Sequence, residues 1–248
     1  MEKYNILTIS DKSYFPHLQI LVNSILDTCD LEKINNFYII DNGLEEKQIE
    51  YLKTKSPLIN IITTGIQTNF KGGTWGEDWQ KNVKGKTTHL LDLISKTQEP
   101  LLMLDADMMV IKDLYSLSEQ GGDLQVCVRP KHRVKYIGSY FFSINHEKTL
   151  PLIKEWRELT LASKGKGAHE SPALTKTIKK YYNTLNITEL SQNMVNLIPY
   201  PPQEETVIVH FKGGSLHDSF DSQFNSRILN RAGGVWLKHL SKYIEDYV

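Results

Sequence analysis

Hydrophobic positions along the chain fall into short runs, separated by segments in which they recur every third or fourth residue. Residues 4–9 (YNILTI), 36–40 (NFYII) and 58–62 (LINII) are runs of strand length. Between the first two, Leu18, Leu21, Val22, Ile25 and Leu26 follow Pro16 at helical spacing. Residues 45–53 read as a charged surface helix. The order strand–helix–strand–helix–strand predicts a doubly wound α/β sheet. A loop carrying glycine and tryptophan follows over 71–85, with Trp75 and Trp79 as candidates for ligand contact or packing; then comes a helix over 87–96, with Leu90, Leu91 and Ile94 facing inward.

The run 101–110, LLMLDADMMV, suits a buried central strand, except that Asp105 and Asp107 interrupt it. Buried carboxylates need a partner, and the carboxyl ends of strands in open α/β sheets are where ligands bind. On an extended backbone, Asp105 and Asp107 point to one side, where both can reach a hard divalent cation. The plainer alternative is a polar turn capping a helix.

Beyond this run a short helix begins at Asp113 and strands are predicted over 124–128 and 136–145. A helix over 150–161, a basic loop over 163–168 and a helix opening near Pro172 and reaching Tyr182 come next. A late strand over 207–211 (VIVHF) leads into Lys212-Gly213-Gly214, and an amphipathic helical tail spans most of 225–248. No linker of proline and glycine divides the chain. We therefore expect one domain over 1–248, with a nucleotide-binding half to residue 110 and an acceptor-side half from 111 through the C-terminal helix.

Composition narrows the field. Lysine plus arginine and aspartate plus glutamate both number 29 in 248 residues, which argues against nucleic acid as a partner. Cys29 and Cys127 form neither a metal-ligand spacing nor a disulfide framework, so a reducing, cytoplasmic setting is expected. No stretch has the length and apolarity of a membrane span, although the aromatic and basic residues of the tail leave peripheral membrane contact open. The cluster 131–135 (KHRVK) reads as a solvated loop, with an anionic acceptor as the alternative.

His210, two residues before Lys212 and at the end of a predicted strand, completes a possible set of metal ligands with Asp105 and Asp107. Lys212 would add positive charge toward a phosphate, and Gly213 would let the backbone approach it. Asp41, in an Asp-Asn-Gly turn, could accept from an N–H or hydroxyl of a ligand, or simply close the turn.

Four blocks together resemble the GT-A glycosyltransferases, closest to the glycogenin-like, family-8 retaining enzymes. They are Thr8-Ile9-Ser10-Asp11-Lys12-Ser13-Tyr14 with Ser24-Ile25-Leu26, then Lys86, then Leu104-Asp105-Ala106-Asp107, and finally His210-Phe211-Lys212-Gly213. The resemblance implies a GT-A fold: a Rossmann-like, doubly wound mixed sheet with a fused acceptor-side region. It implies transfer of a hexose from a nucleotide-diphosphate sugar, UDP-linked, to a glycan acceptor. Mn²⁺, or Mg²⁺, would be held by Asp105, Asp107 and His210. The donor would be contacted by Thr8, Ser10, Tyr14, Asp41, Lys86, Asp105, Ala106, Lys212 and Gly213.

The departures are specific. Ser215-Leu216-His217 replaces the family's Lys-Pro-Trp, Gly138-Ser139 stands for Asn-Ser-Gly, and His169-Glu170-Ser171 replaces Asp-Gln. Glu170 and Lys212 are the candidate catalytic residues. Glu170 would stabilise positive charge on the sugar or act as a general base, or else merely favour the helix dipole. Asp41-Asn42-Gly43 is closer to inverting GT-A enzymes, so the stereochemistry stays open. A module that binds sugar nucleotide without turnover is the main alternative. A sugar-nucleotide pyrophosphorylase is disfavoured, because no glycine-rich loop follows the first strand.

Overall fold

The computed structural model describes residues 3–68, 77–164, 169–197, 202–211 and 242–243. The first half alternates strands and helices: β1 (Tyr4–Ser10), α1 (Phe15–Thr28), β2 (Ile34–Asp41), α2 (Glu46–Lys55), β3 (Ile59–Thr63), α3 (Glu77–Thr97) and β4 (Leu101–Leu104). The second half adds β5 (Met108–Val110), α4 (Tyr115–Ser118), β6 (Leu124–Val128), β7 (Tyr136–Ser143), α5 (His146–Ala162), α6 (Glu170–Tyr181), β8 (Ile187–Ser191), β9 (Val195–Leu197) and β10 (Ile208–His210). Seven strands form one sheet in the order β3-β2-β1-β4-β7-β6-β8, and three form a small sheet in the order β5-β10-β9. β7 runs antiparallel to both neighbours and the other pairings of the large sheet are parallel, so the sheet is mixed, as expected.

The period-two alternation of β4 explains how helices cover both faces. Leu102 and Leu104 join a core with α1 residues Leu18, Leu21, Val22 and Ile25. Leu101 and Met103 join the opposite core with Leu90 of α3, Trp156 of α5 and Leu174 of α6. A strand buried on both sides has to be apolar at every position, and β4 is.

Two expectations are corrected. The run 101–110 is not one strand, because the chain leaves the large sheet after Leu104, turns at Ala106-Asp107 and enters the small sheet as β5. The second concerns the loop predicted over 71–85. Its last nine residues belong to α3, whose first turn carries Glu77 and Asp78 where the helix dipole favours acids. Asp78 also pairs with Lys81 one turn on, at 3.3 Å.

Of the C-terminal tail, 242–243 are described, and they dock on α1. Asp27 accepts from Lys242 Nζ at 2.5 Å and from Tyr243 Oη at 2.9 Å. Tyr243 is buried, which is packing rather than membrane contact for that residue. Among the described residues no helix is long and apolar enough to cross a membrane. Cys29 and Cys127 are free thiols, and burial pushes each up to about 12.

Candidate active site

Strand pairing brings the distant ligand residues together. β10 runs antiparallel to β5 with His210 opposite Met108, and Phe211 N–H donates to the Asp107 carbonyl at 2.8 Å. β5 is itself held to α1 by the Ser24 hydroxyl, which accepts from Val110 N–H at 3.0 Å. On the other flank of the turn, Asp105 N–H donates to the Ser139 carbonyl on β7 at 3.0 Å.

His210 Nε2 thus lies 3.2 Å from Asp107 Oδ1 and 3.8 Å from Asp105 Oδ2. One ligand atom from each of the three residues fits within 4.8 Å of the others. Two carboxylates and one imidazole make a hard donor set suited to Mn²⁺ or Mg²⁺. The two carboxylates converge across a turn between sheets, not along an extended strand as the sequence spacing implied.

Lys86, on α3 and buried, bridges two acids: its Nζ lies 2.6 Å from Asp105 Oδ1 and 3.3 Å from Glu170 Oε1. Burial opposes its charge, but the two carboxylates outweigh burial and hold the ammonium protonated above its usual range. Burial likewise opposes ionisation of Glu170, yet Lys86 and the neighbouring His169 bring its carboxyl down to about 2. Asp105 moves the other way. Burial raises it and the charges of Asp107 and Glu170 add to that, against the pull of Lys86 and His210. A second cation beside Asp105 would relieve this crowding, which favours the three-residue group as a metal site.

Glu170 opens α6, and Trp156 Nε1–H donates to its carbonyl at 2.9 Å. Its side chain lies hard against β7, where a Cβ on Gly138 would meet Glu170 Cγ at 2.5 Å. Glycine is required there for close approach, not for a turn. Gly138 N–H also donates to Ser171 Oγ at 3.0 Å. Ser139 Oγ is buried and makes no hydrogen bond, and Glu170 Oε2, also buried without one, has His169 Nδ1 3.6 Å away. Both residues line one cavity of about 380 Å³ at the carboxyl edge of the sheet. Buried polar atoms without partners at a cavity wall are where a bound molecule gains hydrogen bonds.

That cavity collects most of the residues expected from sequence. Ser10, Tyr14, Lys86, Asp105, Ala106, Asp107, Glu170 and His210 line it, as does Trp79, whose ring meets His169 edge-on at 6.0 Å. Tyr14 stacks on His17 with ring centroids 4.5 Å apart, and its hydroxyl stands 3.5 Å from Asp107 Oδ2. Thr8 is buried inside β1 and Asp41 lies beyond the cavity wall. The Asp41 carboxylate accepts from Gly43 N–H at 2.8 Å, Leu44 N–H at 2.7 Å and Thr63 Oγ1–H at 3.1 Å, closing its own turn. Lys212, Gly213 and Trp75 lie outside the described residues.

The sequence reading gave Asp11 no role beyond its place in the first block, and it passed over Arg129. Asp11 caps the turn before α1 by accepting from Ser13 and Tyr14 N–H, and its other oxygen accepts from Thr68 Oγ1–H and Asn82 Nδ2–H. Its position in a strand-end turn was the available signal. Arg129 follows the apolar run of β6 directly, and the same rule about strand ends would have found it.

No protein-family model and no curated protein sequence matches the chain. Solved structures do. An active-site mutant of LgtC aligns with a TM-score of 0.61 at 14% identity, covering 93% of this chain and 95% of that one. The galactosyltransferase LgtC in complex with donor and acceptor sugar analogues aligns with a TM-score of 0.61 at 13% identity over the same shares. The bifunctional glycosyltransferase WbbM aligns with a TM-score of 0.64 at 10% identity, over 98% of this chain and 52% of that one. The chain has the GT-A fold that these structures share.

Proposed function

We propose that this chain is a metal-dependent glycosyltransferase that moves a hexose from a UDP-sugar to a glycan acceptor. The observation that carries the reading is the convergence of Asp105 and Asp107 with His210, far apart in sequence, at the carboxyl edge of a GT-A sheet. The likeness to LgtC, solved with donor and acceptor sugar analogues, supports it.

A divalent cation held by these three residues would act as a Lewis acid, offsetting negative charge on a departing nucleoside diphosphate. The protein's own groups divide the remaining work. Ser10, at the end of β1, and Tyr14, in the turn before α1, would form the wall beside a nucleotide. Lys86 holds Asp105 and Glu170 in place and keeps Glu170 ionised. The Glu170 carboxylate, whose Oε2 has His169 Nδ1 3.6 Å away, would face positive charge developing on the sugar ring. As a carboxylate held near 2, Glu170 is a weak base at neutral pH. That favours electrostatic stabilisation over proton abstraction and supports retention of configuration.

The decisive experiment is calorimetry with UDP, GDP and CMP, with and without Mn²⁺, followed by assays of donor hydrolysis. Tight binding of UDP that requires Mn²⁺, with slow hydrolysis of one UDP-hexose, is expected. Binding without turnover of any donor would instead identify a sugar-nucleotide-binding module. Indifference to all three nucleotides would remove the proposal.

A further inference from the structure

The cavity is charged unequally from end to end. Along the sheet edge β1, β4, β7 and β6 lie in that order, so Ser10, then Asp105, then Ser139 with Glu170, then Arg129 follow one another around the wall. β6 stands two strands from β4, about 10 Å away at ordinary strand spacing. The lining acids Asp11, Asp105, Asp107 and Glu170 lie at the β1, β4 and β7 positions, whereas Arg129 and His132 line the β6 end.

Arg129 has little to satisfy it. One Nη2–H donates to the Val134 carbonyl at 3.2 Å, which pins the loop between β6 and β7. Nε is buried without a hydrogen-bond partner, and among the described residues no carboxylate pairs with the guanidinium. Burial lowers its affinity for the proton, an effect that the neighbouring Cys127 opposes, although a guanidinium stays charged at neutral pH. Pinning a loop needs one neutral donor. A half-buried planar cation with idle N–H groups on a cavity wall is the arrangement that receives a carboxylate or phosphate. Lys131 and Arg133 are exposed on the same loop, away from the cavity wall, and add positive potential around its mouth.

We propose that Arg129 forms an anion-recognising subsite at the end of the cavity away from the nucleotide, selecting a sugar that carries a carboxylate or phosphate. The proposal deepens the glycosyltransferase reading and rests on it for the direction of the cavity. The anionic group belongs either to the acceptor or to the donor sugar, and the test separates the two.

Methyl glucuronide, glucose 6-phosphate and methyl glucoside are titrated into the full chain without nucleotide. UDP-glucuronate and UDP-glucose are titrated with Mn²⁺. Each titration is repeated for Arg129→Gln, Arg129→Lys and the double variant Lys131→Gln/Arg133→Gln. An acceptor subsite predicts that the anionic monosaccharides bind about tenfold or more tightly than the glucoside, since charge-assisted hydrogen bonds are at stake. A donor subsite predicts the same ratio between the two nucleotide sugars. In either case Arg129→Gln should abolish the ratio, Arg129→Lys should keep part of it, and the double variant should keep most of it.

No charge preference in either arm overturns the proposal. So does a preference that survives Arg129→Gln, or one lost equally in the double variant. Weakening of UDP binding itself by Arg129→Gln would place the guanidinium on the diphosphate and also overturn it. Failure of the wild type to bind UDP with Mn²⁺ would strike the glycosyltransferase reading alone, because the monosaccharide arm needs no nucleotide.

Discussion

Gly138 leaves no room for a side chain, because a Cβ there would lie 2.5 Å from Glu170 Cγ and 3.1 Å from Glu170 Oε1. The acid on α6 and the glycine on β7 are therefore fitted to each other. Gly138→Ala should cost about 1–3 kcal/mol as overpacking and push the Glu170 carboxylate off Lys86. Donor turnover should fall more than tenfold while Mn²⁺-dependent UDP affinity changes little. Calorimetry alongside turnover measurements checks this, and equal losses in both would mean that Glu170 positions the nucleotide instead.

The metal assignment couples residues far apart in sequence. His210 Nε2 and Asp107 Oδ1 are 3.2 Å apart, so a shared cation should make their losses non-additive. In a double-mutant cycle on UDP binding in saturating Mn²⁺, Asp107→Asn and His210→Ala should depart from additivity by about 0.5–3 kcal/mol. Additive losses would separate the histidine from the metal site.

Lys86 is a structural cation as well as a cavity residue. Lys86→Met would leave two acids sharing a buried space without their counter-charge, at a cost of about 3–5 kcal/mol. Adding Glu170→Gln to that variant should recover part of the loss, because one of the stranded charges is then neutral. Urea unfolding of the single and double variants gives the comparison, and no recovery would argue against direct coupling.

Glu170 also sets a pH signature. Its carboxyl falls from an ordinary 4.5 to about 2 in the folded protein, so the unfolded state binds the proton more readily. The stabilisation is fully present above about pH 4.5 and is lost as pH falls toward 2, a total of ~3 kcal/mol. Asp105, raised by burial, acts in the opposite sense, gaining stability as it takes up a proton. Wild type minus Glu170→Gln should therefore show a stability difference that shrinks across this acid range. A constant difference would mean that the Lys86 pairing does not control the Glu170 charge.

Asp41 offers a contrast within the first half of the chain. Because its carboxylate accepts three hydrogen bonds in its own turn, Asp41→Ala should cost about 1–3 kcal/mol in stability. UDP affinity of the folded variant should stay within about twofold of wild type. A selective loss of nucleotide affinity would instead place Asp41 at the donor site.

The local pattern of the chain determined the alternation of strands and helices, the doubly wound class and the identity of Asp105, Asp107 and His210 as a possible ligand set. Those features rest on periodicity and on side-chain chemistry, both local properties. The break of the run 101–110 after Leu104 was not legible, since ten apolar and acidic residues read alike whether they pair within one sheet or two. Only the docking of β10 (Ile208–His210) on β5 (Met108–Val110), which lie far apart in sequence, decides where the turn falls. The same limit hid the first turns of α3, the hold of Lys86 on Glu170 and the need for glycine at 138. Each depends on which element of the second half is packed against which of the first. Composition says nothing of that choice, and tertiary structure makes it, because a buried charge or a close contact acquires its energy only from the neighbour it finally meets.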